Sequence, residues 1–269
     1  MIEGVKIRRV NFFNNRHQKL VGILEENSKD KIVIICHGFA GNKNRNFIHL
    51  LDDYLIKNNF SVLIFDFTGN GESEGEFSDG TYIQEIDDLG KAVDFVEKIG
   101  YKKICLMGHS MGGAVSILRA SRDKRVNCLI SIASPGEDKF RFRKKYVNTE
   151  EKRKQLDKQG YVIMEKNNKR LTKEFLDDAE KKDLKEAVQK IKIPFLMIHG
   201  EDDETVPLHE AKELYKDANE PKALEIISHA DHCFGYKGMD YNPNSSIKET
   251  KEYKELKQNI LQFLKKWLN

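Results

Sequence analysis

The sequence has little proline, five residues in 269, too few for a linker-rich or disordered chain. It has no run approaching the ~18 consecutive apolar residues that a membrane-spanning helix needs. Net charge is also scarce: 46 Lys and Arg against 43 Asp and Glu leave +3, which gives no general reason to expect a nucleic-acid or membrane partner. Cysteine is sparse, at four, and the spacings match no close metal-ligand pattern. Cys36, Cys105 and Cys128 lie in or at the end of apolar runs and are expected to be small core residues, whereas Cys233 adjoins His232. The opening residues, Met1-Ile2-Glu3-Gly4-Val5-Lys6, contain neither an apolar core nor a small-residue cleavage site, so a cytoplasmic protein is expected.

What is present alternates. Val5 to Phe13 and Lys19 to Leu24 are short β-rich runs around Asn14-Asn15-Arg16-His17, which predicts a hairpin. Continuous apolar runs follow at 32–36, 61–65, 104–107, 128–132 and 195–198, with a last strand at 223–227. Runs of this kind predict strands buried on both faces. Between them, Phe47 to Lys57, Tyr82 to Ile99, Gly112 to Ala120 and Leu208 to Ala218 carry apolar residues three or four apart, the period of a helix. A final amphipathic helix is predicted over Tyr253 to Leu268, with Ile260, Phe263, Leu264 and Trp267 on one face. The alternation predicts an α/β fold with a mostly parallel central sheet, helices on both faces, and a ligand site beyond the carboxyl ends of the strands.

One segment breaks the pattern. Residues 136–190 separate two strands that a single helix could join, and they read as an inserted lid; 1–135 and 191–269 then form one core. The insertion holds 17 basic and 12 acidic residues, so it carries the chain's positive excess. It is expected to contain a charged helix near Thr149 to Lys158, a hairpin from Tyr161 to Leu171 turning at Asn167-Asn168, and a helix from Thr172 to Gln189.

The chemistry begins at Gly108-His109-Ser110-Met111-Gly112, a Gly-x-Ser-x-Gly string lying between an apolar strand and a helical Gly112-Gly113-Ala114-Val115. That is the setting of a nucleophile elbow, in which a serine sits on a strained strand-to-helix turn. A serine hydroxyl is a weak nucleophile, so a base is needed beside it and a third group must orient the base. Candidates fall at two later strand ends: the acidic run Glu201-Asp202-Asp203-Glu204 after His199-Gly200, and His229 or His232 in Ser228-His229-Ala230-Asp231-His232-Cys233-Phe234. Two backbone donors must receive the oxyanion, one just after the nucleophile and one after the earlier His37-Gly38, which designates Met111 and Phe39.

Together these strings, with Phe65-Asp66-Phe67-Thr68-Gly69-Asn70-Gly71-Glu72-Ser73, resemble the α/β-hydrolase superfamily. In particular they are similar to cinnamoyl and feruloyl esterases, with bacterial monoacylglycerol lipases and serine aminopeptidase-like hydrolases as near relations. The resemblance implies that the acid is the fifth residue of His-Gly-x-x-Asp, hence Asp203 with Asp202 as the competitor. It also implies that the base is His232, which precedes the apolar Cys233-Phe234. His229 with His232 matches no zinc motif, and no Gly-x-Gly-x-x-Gly opens the first strand-helix unit, so neither a metal nor a cofactor is expected. The expected activity is that of a serine carboxylesterase on a small-molecule ester, feruloyl or cinnamoyl esters among the candidates. The alternatives are a monoacylglycerol or short-chain acyl esterase, an amide hydrolase, and a non-catalytic binding protein on the same fold. A homodimer stays open.

Overall fold

In the computed structural model, which describes residues 4–236 and 248–268, the predicted alternation becomes an eight-stranded sheet. The first three residues of the opening stretch lie outside the described residues. The strands are β1 (Lys6–Phe13), β2 (Lys19–Glu26), β3 (Lys31–Cys36), β4 (Ser61–Phe65), β5 (Lys103–His109), β6 (Val126–Ile132), β9 (Phe195–Gly200) and β10 (Lys222–Ile227); β7 (Tyr161–Met164) and β8 (Lys169–Thr172) form a separate antiparallel hairpin. The order across the sheet is β1-β2-β4-β3-β5-β6-β9-β10. Only β1, β2 and the β2–β4 pair are antiparallel; every pairing from β4 to β10 is parallel. The parallel strands therefore all end on one edge.

The helices are α1 (Asn46–Lys57), α2 (Tyr82–Lys98), α3 (Met111–Ala120), α4 (Arg141–Tyr146), α5 (Glu150–Gln159), α6 (Lys173–Lys181), α7 (Leu184–Lys190), α8 (Leu208–Asp217) and α9 (Lys251–Trp267). Successive β3 residues bury on opposite faces: Ile32, Ile34 and Cys36 join the core beneath α2 and α3, while Val33 and Ile35 join the core beneath α1 and α9. That is why the run is apolar throughout instead of alternating. Burying each such side chain contributes about 1.5–3 kcal/mol, so the sheet's two faces supply most of the driving force. Among the described residues no helix is long and apolar enough to cross a membrane.

The structure differs from the sequence expectation in three places. The helix expected from Thr172 to Gln189 is two, α6 and α7, because Lys182 is extended and the Asp183 carboxylate accepts the Glu186 amide at 2.8 Å and starts a new helix. The short α4 carried no periodic signal; one of its residues, Phe142, is buried. In α9 the buried stripe is Tyr253, Leu256, Ile260 and Leu264, and Trp267 lies at its exposed edge. Cys36, Cys105 and Cys128 are buried and Cys233 is half-buried, and none of the four is in a disulfide.

Candidate active site

Ser110 stands between β5 and α3 with φ 56° and ψ −124°, a backbone conformation that a non-glycine residue rarely adopts. The neighbouring glycines explain how the turn is tolerated. A Cβ on Gly108 would come within 2.1 Å of the Gly112 carbonyl oxygen, and one on Gly112 within 2.4 Å of the His37 carbonyl oxygen. The backbone thus passes closer to itself, and to the loop after β3, than any side chain allows.

The turn presents the Ser110 hydroxyl to His232. Ser110 Oγ and His232 Nε2 are 3.0 Å apart, and His232 Nδ1 is 2.7 Å from Asp203 Oδ2. An ionised carboxylate only accepts, so Nδ1 carries the imidazole proton and Nε2 is left to accept from the serine. Asp203 follows β9, His232 follows β10, and Ser110 follows β5, so three parallel strand ends bring the three residues together.

The remaining Asp203 oxygen accepts the backbone N–H groups of Thr205 and Val206, each at 2.8 Å. Burial alone would raise the Asp203 carboxyl, but hydrogen bonds from His199 and His232, with the Val206 amide, outweigh it and hold the group well below the usual carboxylate range. Asp202 is placed elsewhere. Its side chain is 62% exposed and lies 3.8 Å from the exposed ring of His229, so neither member of that pair meets Ser110.

The loop carrying Phe39 lies directly against Ser110, since a Cβ on Gly38 would sit 3.1 Å from Ser110 Cβ. Met111 is the first residue of α3, where amides have no intrahelical acceptor. The Ser110 carbonyl accepts only from Gly113, at 2.9 Å, and more weakly from Ala114, at 3.3 Å, among the loop and cap hydrogen bonds. The other histidines near the site are structural. His37 donates from Nδ1 to the Gly38 carbonyl and accepts the Phe67 amide at Nε2, and burial pushes its pKa down. His109, pushed down to about 3 by burial and by the neighbouring His232, donates to the His232 carbonyl at 2.8 Å.

Two features had no sequence signal. Phe39 is ringed by Phe77, Phe142, Tyr146 and Phe175, with centroids 5.5, 4.8, 6.2 and 5.3 Å away. Three of those rings belong to the insertion, so it packs onto the loop beside Ser110. A buried ion pair, Lys43 to Asp66 at 2.6 Å, ties the same loop to the end of β4, and Asp66 also accepts the Lys43 and Glu72 amides. Scattered aromatics and a lone Lys carry no period that would announce either contact. Among the described residues no group of three or more His, Cys, Asp or Glu could hold a metal ion.

Known proteins share both sequence and architecture with this chain. Residues 31–159 match the profile of the alpha/beta hydrolase fold, and residues 140–235 match that of serine aminopeptidase S33. An Escherichia coli protein, an uncharacterized 31.7 kDa protein of the traX-finO intergenic region, is 27% identical over 78% of this chain and 85% of its own length. Among solved structures, Est1E from Butyrivibrio proteoclasticus with bound ferulic acid superposes with a TM-score of 0.80 at 20% identity, covering 96% of this chain and 98% of that one. The Pyrococcus furiosus esterase Pf2001 does so with a TM-score of 0.73 at 23% identity, covering 98% and 92%. The two profile matches, over residues 31–159 and 140–235, and the common architecture show that this chain has the α/β-hydrolase fold.

Proposed function

We propose that the chain is a serine hydrolase of carboxylic esters, with Ser110 as nucleophile, His232 as general base and acid, and Asp203 as the group that orients and stabilises the imidazole. The observation that carries this is the continuous hydrogen-bonded line from the Ser110 hydroxyl through His232 to a buried, ionised Asp203. Ser110 Oγ attacks the acyl carbon while its proton passes to His232 Nε2, and the carbonyl oxygen becomes an oxyanion received by the Phe39 and Met111 amides. The bond to the alcohol oxygen then breaks, and His232 gives the proton to the departing alcohol. Water, deprotonated by His232, attacks the acyl-enzyme and releases the acid and the serine.

Residues 136–190 act as a lid over this cleft. Their rings around Phe39 make an apolar wall suited to an acyl group of moderate size, and an aromatic one, as in cinnamoyl or feruloyl esters, fits the chemistry of such a wall. The ferulic acid held by Est1E supports the same choice. Four cysteines outside any disulfide, three of them buried, fit a reducing, cytoplasmic compartment.

A fluorophosphonate probe tests the mechanism: it is expected to label the wild type at Ser110 and to leave Ser110→Ala unlabelled. A folded wild-type protein that the probe does not label would overturn the proposal. Methyl ferulate beside p-nitrophenyl esters of increasing chain length tests the substrate; preference for a short alkyl chain over ferulate would replace the aromatic acyl group with an aliphatic one.

A further inference from the structure

The Phe39 amide is one of the two donors proposed for the oxyanion, and it lies in the loop of residues 37–45 between β3 and α1. A trans peptide unit is planar, so the direction of the Gly38 carbonyl fixes the opposite direction of the Phe39 N–H. That carbonyl accepts from two groups, the Gly41 amide at 3.0 Å and His37 Nδ1 at 2.9 Å. His37 is held in turn by the loop after β4, whose Phe67 amide donates to its Nε2 at 3.1 Å.

On the far side of Phe39, Ala40 has φ 54°, a left-handed conformation uncommon for a residue with a side chain. Such strain persists only where the surroundings over-determine the backbone. Three residues on, Lys43 supplies that restraint. Asp66, just after β4, accepts both the Lys43 amide and the Lys43 ammonium, each at 2.6 Å, and neither side chain is more than 1% exposed. Asp66 has little room to move. It also accepts the Glu72 amide at 2.9 Å, and the backbone at Gly71 passes so close that a Cβ there would sit 2.2 Å from Asp66 Oδ2.

Resting on the ester-hydrolase reading above, we infer that Asp66, acting through Lys43, is a positioning residue of the oxyanion hole. Asp66 and the His37–Phe67 contact clamp the stretch from Gly38 to Lys43 at its two ends. The Phe39 N–H is thereby aimed before the substrate arrives, and nothing has to reorganise as charge develops on the carbonyl oxygen. Freeing the Lys43 end lets Ala40 relax from its left-handed conformation and swings the Phe39 N–H away from the oxyanion. Asp66 itself never touches the substrate. Its loss is felt in the transition state, where the oxygen is charged, and little in the binding of the neutral ester.

A trifluoromethyl ketone separates this role from a purely structural one. Ser110 Oγ adds to the ketone carbon, its proton passes to His232, and the carbonyl electron pair becomes an oxyanion in the hole, with no group leaving. The probes are 1,1,1-trifluoro-4-phenyl-2-butanone, read as Ki, and its ester counterpart methyl 3-phenylpropanoate, read as KM and kcat. Neither Ki nor KM depends on the fraction of protein that is folded. Two variants are compared with wild type: Asp66→Asn, and Asp66→Asn combined with Lys43→Met, which leaves no lone buried charge. In both, kcat is expected to fall about 10–100-fold and Ki to rise by a similar factor, with KM changed less than about twofold. Asp123→Asn is the control for lost stability. It breaks pairs with Arg119 and Arg125 before the start of β6, at the opposite end of the strands from the site, and should lower the melting temperature while leaving Ki and KM unchanged. A Ki that stays at the wild-type value, or rises no more than KM does, in whichever Asp66 variant melts cooperatively would overturn the inference. Lack of Ser110-dependent turnover of the ester by wild type would instead strike the underlying ester-hydrolase reading.

Discussion

Asp202 and Asp203 are neighbours in sequence with opposite surroundings. One carboxylate stands in solvent beside His229, and the other is sealed in the protein with both oxygens engaged. The hydrogen bonds to Asp203 favour its charged form, so it stays ionised throughout the neutral range and holds His232 with Nε2 free to accept. Asp203→Asn keeps the shape of the side chain but lets its amide drive the wrong imidazole tautomer, and should lower kcat about 10³–10⁴-fold. Asp202→Asn should change kcat less than about twofold, as expected of an exposed residue away from the reacting atoms. Steady-state kinetics on one p-nitrophenyl ester decides between them, and equal losses would refute the assignment. Sequence could carry the choice between these two residues only through resemblance, because adjacent acids in one loop have the same composition and differ only in where the backbone turns them.

At the scale of elements, the insertion is fastened at its start by a single buried acid on α8. Glu210 accepts the Gly136 amide at 2.7 Å and the Arg141 guanidinium, with only 2% of the residue exposed. Removing one partner of a buried pair leaves the other charge uncompensated. Glu210→Ala should therefore cost about 2–4 kcal/mol in urea unfolding, and Arg141→Met combined with Glu210→Met should cost less than the single change. A double variant less stable than Glu210→Ala would show that the pair contributes through attraction and not merely through its mutual neutralisation. The contact joins residues 69 positions apart, and nothing in the pattern around either of them marks it. The break between α6 and α7, by contrast, has a local signal in Asp183, a good N-cap, but the helical period on both sides of it masked that signal and a single helix was expected.

For the molecule as a whole, the aromatic cluster centred on Phe39 makes the insertion and the core one packed body. Phe175 touches Phe39, Tyr82 and Phe142 and is 3% exposed. Phe175→Ala should lower stability by about 3–5 kcal/mol, the range for emptying a buried aromatic site. In the fraction that remains folded, KM for an aromatic ester should rise more than kcat falls, because the wall and not the hydrogen-bonded line is damaged. A change confined to kcat would separate the insertion from substrate binding.

The sequence by itself determined the alternation, the parallel sheet and the elbow, because each rests on local chemistry: apolar runs that need cover on both faces, and glycines where the backbone passes within 2.1 to 2.4 Å of another carbonyl. It also confined the acid and base to two loops, since parallel strands end on one edge. Only the tertiary structure decided which carboxylate meets His232 and which rings gather around Phe39 beside Ser110. Those are contacts between residues tens of positions apart, fixed by how the helices and the insertion pack on the sheet and not by any period along the chain.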